Sequence, residues 1–107
     1  MSQREHNAAS LDELALAAFR WGYYRHFKGG LYRALDAGYD AADGAAAIRY
    51  RRLTAPGAGR IWFRRLRDDW LTPHPDAPGG VRYTYLEADD PDHARAAALD
   101  AGLAADP

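Results

Sequence analysis

The first apolar pattern along the chain is helical, because apolar residues after residue 10 recur at spacings of three and four, the spacing of one helix face. Ser10 followed by Glu13 forms a capping box, in which each side chain satisfies a free backbone N–H of the first turn. We therefore predict a helix over 10–21, preceded by a flexible leader over 1–9. Its predicted inner face comprises Leu11, Leu14, Ala15, Ala18 and Phe19.

From residue 22 the pattern changes to short runs rich in aromatic and β-branched residues, separated by glycine, proline and aspartate. Such runs are typical of antiparallel strands joined by hairpin turns. The segment from Trp70 to Gly80 contains three prolines. Because proline cannot donate to a strand ladder, we predict a loop there. The predicted strands lie near 23–27, 31–37, 46–53, 60–66 and 81–86.

A second helix is predicted over 90–104, with Asp90 as its N-cap and Pro91 in its first turn. The chain then forms a single domain over 10–107, with a β core over 22–86 between two helices. We expect a mainly β fold of the α+β class. It would be either a small antiparallel SH3-like barrel or a curved sheet of about five short strands.

The simplest hairpin registers pair Ala37 with Ala45 and Leu53 with Arg60. Side-chain alternation then defines a core face and an opposite, basic face. Adjacent like charges destabilise a sheet, so the basic face requires acidic partners, a bound anion or solvent around its arginines. A slip of one residue in either hairpin would exchange the faces. The predicted core face holds Tyr32, Ala34, Ile48, Tyr50, Ile61 and Phe63, and the basic face holds Arg33, Arg49 and Arg64 in one row, with Arg51 opposite Trp62.

Composition narrows the class of protein. At 107 residues, the chain has room for one hydrophobic core. The absence of cysteine excludes disulfides, a thiolate metal site and a cysteine nucleophile. No apolar run approaches the roughly 20 residues that span a bilayer, and we expect a cytoplasmic protein without a membrane partner. Abundant alanine and a strong preference for arginine over lysine indicate a GC-rich bacterial genome.

The formal charge of −1 conceals an uneven distribution. Residues 20–67 carry eleven basic against three acidic side chains, a net of +8, whereas residues 87–107 carry six acidic side chains against one arginine, a net of −5. The basic centre could bind an anion, including nucleic acid. It could equally be neutralised by the acidic C-terminal segment of the same chain.

No motif for catalysis or metal binding is present. The serines lie in the leader and at the helix cap, and no threonine has a histidine nearby in sequence. The four histidines are widely separated and lack the spacing of metal ligands. We therefore predict no catalytic residue, no metal and no cofactor.

Four short motifs in the β core resemble a small bacterial family, domain of unknown function 1653. They are YRHFKGGLY at Tyr24–Tyr32, Tyr50-Arg51-x-Leu53, Trp62-x-Arg64 and Arg82-Tyr83. The resemblance covers about residues 22–86. It implies a compact, barrel-like β fold and no particular reaction.

Two residues depart from the family pattern, since Arg65 replaces its proline and Trp70 replaces its phenylalanine. The motifs are rich in aromatic and cationic side chains, and His26 is their one plausible base. Arginine binds phosphate or carboxylate, and an indole or phenol ring can stack on a base. The candidate ligand-binding residues are Tyr24, Arg25, His26, Lys28, Arg33, Arg49, Arg51, Trp62 and Arg64.

These observations predict a non-enzymatic binding module that recognises an anionic ligand, a nucleotide or nucleic acid, through a basic and aromatic face. One alternative is a small-molecule enzyme in which His26 is the base and Arg51 and Arg64 hold the substrate. Another is a protein-interaction domain whose basic face binds an acidic partner or the chain's own C-terminal helix.

Overall fold

Five antiparallel strands form one open sheet in the order β4-β3-β2-β1-β5. The structure, a computed structural model, describes residues 3–105, with side chains described over 11–104. The predicted α+β fold is confirmed as an open sheet between an N-terminal and a C-terminal helix. The elements are α1 (Gln3–Ala18), β1 (Gly22–His26), β2 (Leu31–Tyr39), β3 (Ala46–Arg52), β4 (Ile61–Arg65), β5 (Tyr83–Tyr85) and α2 (Pro91–Ala105).

The α1 face of the sheet, defined as the face that packs against α1, carries an aromatic core. A π-helical turn at Leu66–Trp70 follows β4 and closes this core. The Trp70 ring stacks on Tyr83 with ring centroids 4.0 Å apart, and it meets the edge of Tyr24 at 5.2 Å. Aromatic side chains bury large apolar areas, so this cluster provides much of the core's stability.

The α2 face is the opposite side of the sheet, and helix α2 covers part of it. Leu31, Leu53 and Leu86 are fully buried there, together with Ala96 from α2. Asp90 caps the helix by accepting a hydrogen bond from the N–H of Asp92 at 2.9 Å, as predicted. The two helices therefore cover opposite faces of one sheet.

Helix α1 begins earlier than predicted. It starts at Gln3, so the predicted flexible leader over 1–9 is helical from that residue, and Ser10 lies inside the helix instead of at its cap. The first two residues lie outside the described range. Glutamine, arginine, glutamate and alanine favour a helix even without an apolar stripe, which accounts for the early start.

The inner side of α1 also differs from the prediction. Asp12 is buried, and its Oδ2 accepts a hydrogen bond from the backbone N–H of Ala46 at 3.2 Å. Because Asp12 faces the sheet, Leu11 and Leu14 lie on the outer side of the helix, where they are 48% and 67% exposed. Three residues of α1 and the segment after it pack on the core instead: Ala15, Leu16 and Phe19.

The register predicted for β2 and β3 is wrong, because Ala37 pairs with Ile48 and not with Ala45. The turn closes tightly, since the N–H of Asp40 donates to the carbonyl of Ala45 at 2.8 Å. A bulge between residues 34 and 36 then shifts the register by one residue. The bulge restores the predicted alternation. Tyr32, Ala34, Ile48 and Tyr50 therefore share the α1 face.

The register predicted for β3 and β4 is also wrong, by one residue. Tyr50 pairs with Trp62, so Trp62 joins the α1 face and Phe63 moves to the α2 face. Leu53 does not pair with β4, because its N–H donates to the carbonyl of Leu31 at 2.9 Å. The hairpin instead closes between Arg52 and residue 60. Arg64 and Ile61 exchange faces in the same way.

Asp100 joins α2 to three strands. Its side chain is 7% exposed, and Oδ2 accepts hydrogen bonds from Tyr23 Oη at 3.0 Å and from Arg33 Nη1 at 2.7 Å. Arg51 Nη1 lies 3.8 Å from Oδ1 of the same carboxylate. Buried charges need such partners, because an uncompensated one is costly. The carboxylate therefore fixes α2 on the sheet.

We predict that Asp100→Ala lowers the free energy of unfolding by about 1–3 kcal/mol, because its partners lose a charged acceptor under α2. Urea denaturation measures the change. Asp89→Ala is the matched control, since Asp89 is exposed and has no described side-chain partner. Equal stabilities of the two variants would contradict the role of Asp100.

Candidate ligand-binding site

The basic side chains of the α2 face are paired with carboxylates of the same chain. Arg25 contacts Asp90 at 3.3 Å and Asp92 at 2.9 Å, at the start of α2. Arg49 contacts its cross-strand neighbour Asp36 at 2.7 Å. Four predicted ligand residues are thus paired with carboxylates of the same chain: Arg25, Arg33, Arg49 and Arg51. They do not converge with Trp62 and Arg64, so the predicted convergence is wrong.

Tyr24 packs in the core of the α1 face, away from the α2-face arginines. Its ring is buried in the aromatic core, and its hydroxyl donates to the backbone carbonyl of Arg20 at 2.6 Å. Burial raises the pKa of Tyr24 to about 12, so the phenol stays neutral. Tyr24 was predicted to bind the ligand, but its contacts are those of a core residue.

A cavity of about 550 Å³ opens on the α1 face and is called the pocket below. Volumes of this size are typical of small-molecule sites. Residues of all five strands line it, together with the turns before β2 and β4 and the loop before β5. Four predicted ligand residues line the pocket: His26, Lys28, Trp62 and Arg64.

Four cations of the pocket lie over aromatic rings. Cation–π attraction holds such groups in place, but it leaves their positive charge uncancelled. The pairs are Lys28 over Phe27, Arg52 over Tyr32, Arg60 over Trp62 and Arg64 over Tyr83, at 5.7, 5.4, 5.5 and 5.7 Å from the ring centroid.

Among the side chains that the structure describes, no carboxylate lines the pocket. Asp69, from the π-helical turn, contacts Arg64 at 2.8 Å and approaches Arg82 Nη1 at 3.7 Å. Among the side chains described, three pocket cations form no ion pair: Lys28, Arg52 and Arg60. The pocket therefore keeps a positive potential that the α2 face has lost.

His26 is a neutral donor in this environment. Burial lowers the pKa of His26 to about 4, and the nearby charges of Arg64 and Lys28 add to the effect. Its Nδ1 accepts a hydrogen bond from the backbone N–H of Lys28 at 3.2 Å, which leaves the proton on Nε2. The imidazole can thus donate a hydrogen bond to an anion.

Arg82 contributes a further donor. Its buried Nε–H has no acceptor among the residues described, and a buried donor without an acceptor is unfavourable. Together with Arg64 and the neutral imidazole of His26, it gives the pocket a surplus of donors. The arrangement suits a ligand rich in oxygen acceptors.

Only weak signals in the sequence point to the pocket residues that were not predicted. Arg52 lies two residues after Tyr50 in β3, so alternation alone places it on the same face. If the register of β4 had been known, the position of Trp62 would have placed Arg60, two residues earlier, on the same face. Arg82 and His74 come from the loop before β5, and no periodicity predicts the position of a loop residue.

Within the described range, no group of three or more histidine, aspartate or glutamate side chains could hold a metal ion. Neither helix has, over its described residues, the length and apolar character needed to cross a membrane.

The fold and pocket define a small α+β domain with a cationic, aromatic-lined cavity. A family model described as protein of unknown function (DUF1653) matches residues 22–72. The chain is also similar to a crystal structure of a DUF1653 protein from Bordetella bronchiseptica, with 30% identity and a TM-score of 0.56. The match covers 66% of this chain and 91% of that chain. The chain therefore belongs to the DUF1653 family. The comparison with curated proteins gave no match.

We predict that NMR titration of the His26 imidazole gives a pKa of about 4. Lys28→Ala removes a nearby positive charge and raises the pKa of His26 toward its ordinary value of 6.5. Arg95→Ala, on α2, removes a charge of the same sign from outside the pocket. A shift of equal size in both variants would contradict the local electrostatic cause.

The same pKa shift makes stability depend on pH. Between about pH 6.5 and 4 the unfolded chain binds a proton at His26 that the folded chain does not. We therefore predict that the free energy of unfolding falls as the pH is lowered through this range. His26→Gln removes this contribution, so urea denaturation of the variant should show a weaker decline. An identical decline in both proteins would contradict the prediction.

Proposed function

We propose that this chain is a non-enzymatic binding module whose pocket recognises an anionic ligand, a nucleotide or a nucleic-acid segment. The observation that carries the proposal is the division of the cations between the two sheet faces. Cations on the α2 face are paired with carboxylates, whereas Lys28, Arg52 and Arg60 lie together in the pocket without a carboxylate partner among residues 11–104. A cytoplasmic location is part of the proposal, because nucleotides are available there.

A phosphate group fits the polar side of the pocket. Guanidinium groups bind phosphate through charge-assisted hydrogen bonds, and Arg60 and Arg52 lie on opposite strands of the hairpin at its rim. The guanidinium of Arg82 also lines the pocket. The ligand thus replaces the carboxylates that the pocket lacks.

A nucleobase fits the aromatic side of the pocket. Trp62 is 44% exposed, and its ring lines the pocket. Stacking of a base on an aromatic ring contributes about 1–3 kcal/mol. Because Lys28, Arg52 and Arg60 lie in one cavity, the proposal favours a nucleotide or a short single strand over a duplex, which needs an extended row of phosphate contacts.

The enzymatic alternative is less favoured because of His26. With a pKa near 4 and Nδ1 already accepting the N–H of Lys28, the imidazole is a weak base at neutral pH. Arg51, one of its proposed clamps, lies on the α2 face near Asp100. An acidic protein partner is also less favoured, since the arginines of the α2 face already have acidic partners.

The test is fluorescence polarisation with a labelled nucleoside monophosphate, a short single strand and a short duplex, at low and moderate salt. We predict binding of the first two that weakens as salt rises. Arg60→Ala should weaken it about tenfold, the loss expected for one charge-assisted hydrogen bond. Trp62→Ala should weaken nucleotide binding more than binding of inorganic phosphate.

Arg49→Ala is the matched control, because Arg49 lies on the α2 face of the adjacent strand and is paired with Asp36. It should leave the affinity unchanged. Absence of binding at low salt, or equal losses in Arg60→Ala and Arg49→Ala, would refute the proposal.

A further inference from the structure

Strand β4 is an open edge of the sheet. At the turn that precedes it, the N–H of Arg52 donates to the carbonyl of Arg60 at 3.0 Å, so residue 60 directs its carbonyl toward β3. In an antiparallel ladder the polar backbone groups alternate between the two sides of a strand. Those of Ile61, Phe63 and Arg65 therefore point outward, away from β3.

Two large aromatic side chains of β4 are exposed. Phe63 is 69% exposed on the α2 face, and its neighbour Trp62 is 44% exposed on the α1 face. Charged side chains commonly keep an edge strand from pairing with another chain. Here that protection is weak, because the charge of Arg65 is already paired.

The partners of Arg65 come from two segments. Its guanidinium contacts Asp43 at 2.7 Å, Asp68 at 2.9 Å and Asp40 at 3.5 Å. Arg64 contacts Asp69 at 2.8 Å. Both arginines of the strand can therefore approach another chain without an unscreened positive charge.

We propose that β4 pairs with β4 of a second copy of this chain, antiparallel and centred on Phe63. The sequence of the strand is self-complementary in this register. Phe63 lies opposite the same residue of the second copy, which is a favourable aromatic pair. Trp62 lies opposite Arg64 of the second copy, an arrangement suited to a cation–π contact.

The register also satisfies the backbone. With Phe63 at the centre, Ile61 lies opposite Arg65 of the second copy, so all three outward pairs of N–H and C=O groups find partners. The two sheets become continuous, and their pockets lie on the same side, joined at Trp62 and Arg64. An interface of one short strand buries less area than a permanent dimer, so the association is weak and depends on concentration.

Sedimentation velocity of the full chain, from low micromolar to several hundred micromolar, tests the proposal. We expect a monomer at the low end and a dimer at the high end. Phe63→Lys places like charges directly opposite each other and should raise the dimer dissociation constant about tenfold or more. Tyr39→Lys is the control, since Tyr39 is 61% exposed but belongs to the interior strand β2, and it should dimerise like the wild type.

Amide hydrogen exchange identifies the edge itself. The amides of Ile61, Phe63 and Arg65 should become protected as the concentration rises, whereas those of Trp62 and Arg64 face β3 and should be protected throughout. A chain that is monomeric at every concentration overturns the proposal. A dimer in which the outward amides stay unprotected, or which Phe63→Lys does not weaken, overturns it equally.

Discussion

The buried carboxylate of Asp100 determines how charge is distributed over this molecule. It holds α2 against the sheet through Tyr23 and Arg33, and the helix brings further acidic side chains to the same face. Arg25, Arg33 and Arg51 are consequently paired with Asp90, Asp92 or Asp100, whereas Arg49 is paired with Asp36 of β2. A protein with a formal charge of −1 can therefore keep a local positive potential on the face that α2 does not cover.

The pocket is the counterpart of that arrangement. Its cations lie on aromatic rings, which orient a guanidinium group while leaving its charge available. The same charges, together with burial, keep His26 neutral and leave it a hydrogen-bond donor. Aromatic packing thus has two roles, because the tyrosines that stabilise the α1 face also form the wall on which the cations rest.

The elements of the fold were largely predictable, and the pairing between them was not. Strong alternation and turn residues located all five strands, and the cap at Asp90 located α2. The register of β4 follows from the point where the hairpin closes, with the N–H of Arg52 donating to the carbonyl of Arg60, a pairing that no local pattern reveals. This register differs from the predicted one by a single residue. It places Trp62 and Arg64 on the α1 face, whereas Arg49 and Arg51 lie on the α2 face.

The amino-acid sequence alone predicts a site rich in arginine and aromatic residues and free of cysteine, and it predicts the secondary structure that carries the site. Both follow from local chemistry, because hydrophobic periodicity, capping and turn preferences act over a few residues. Which arginines lack a carboxylate partner among the described residues follows from the tertiary fold. Whether a guanidinium meets a carboxylate or a ring depends on contacts between distant segments, such as Arg33 with Asp100, and a register difference of one residue is enough to exchange the two outcomes.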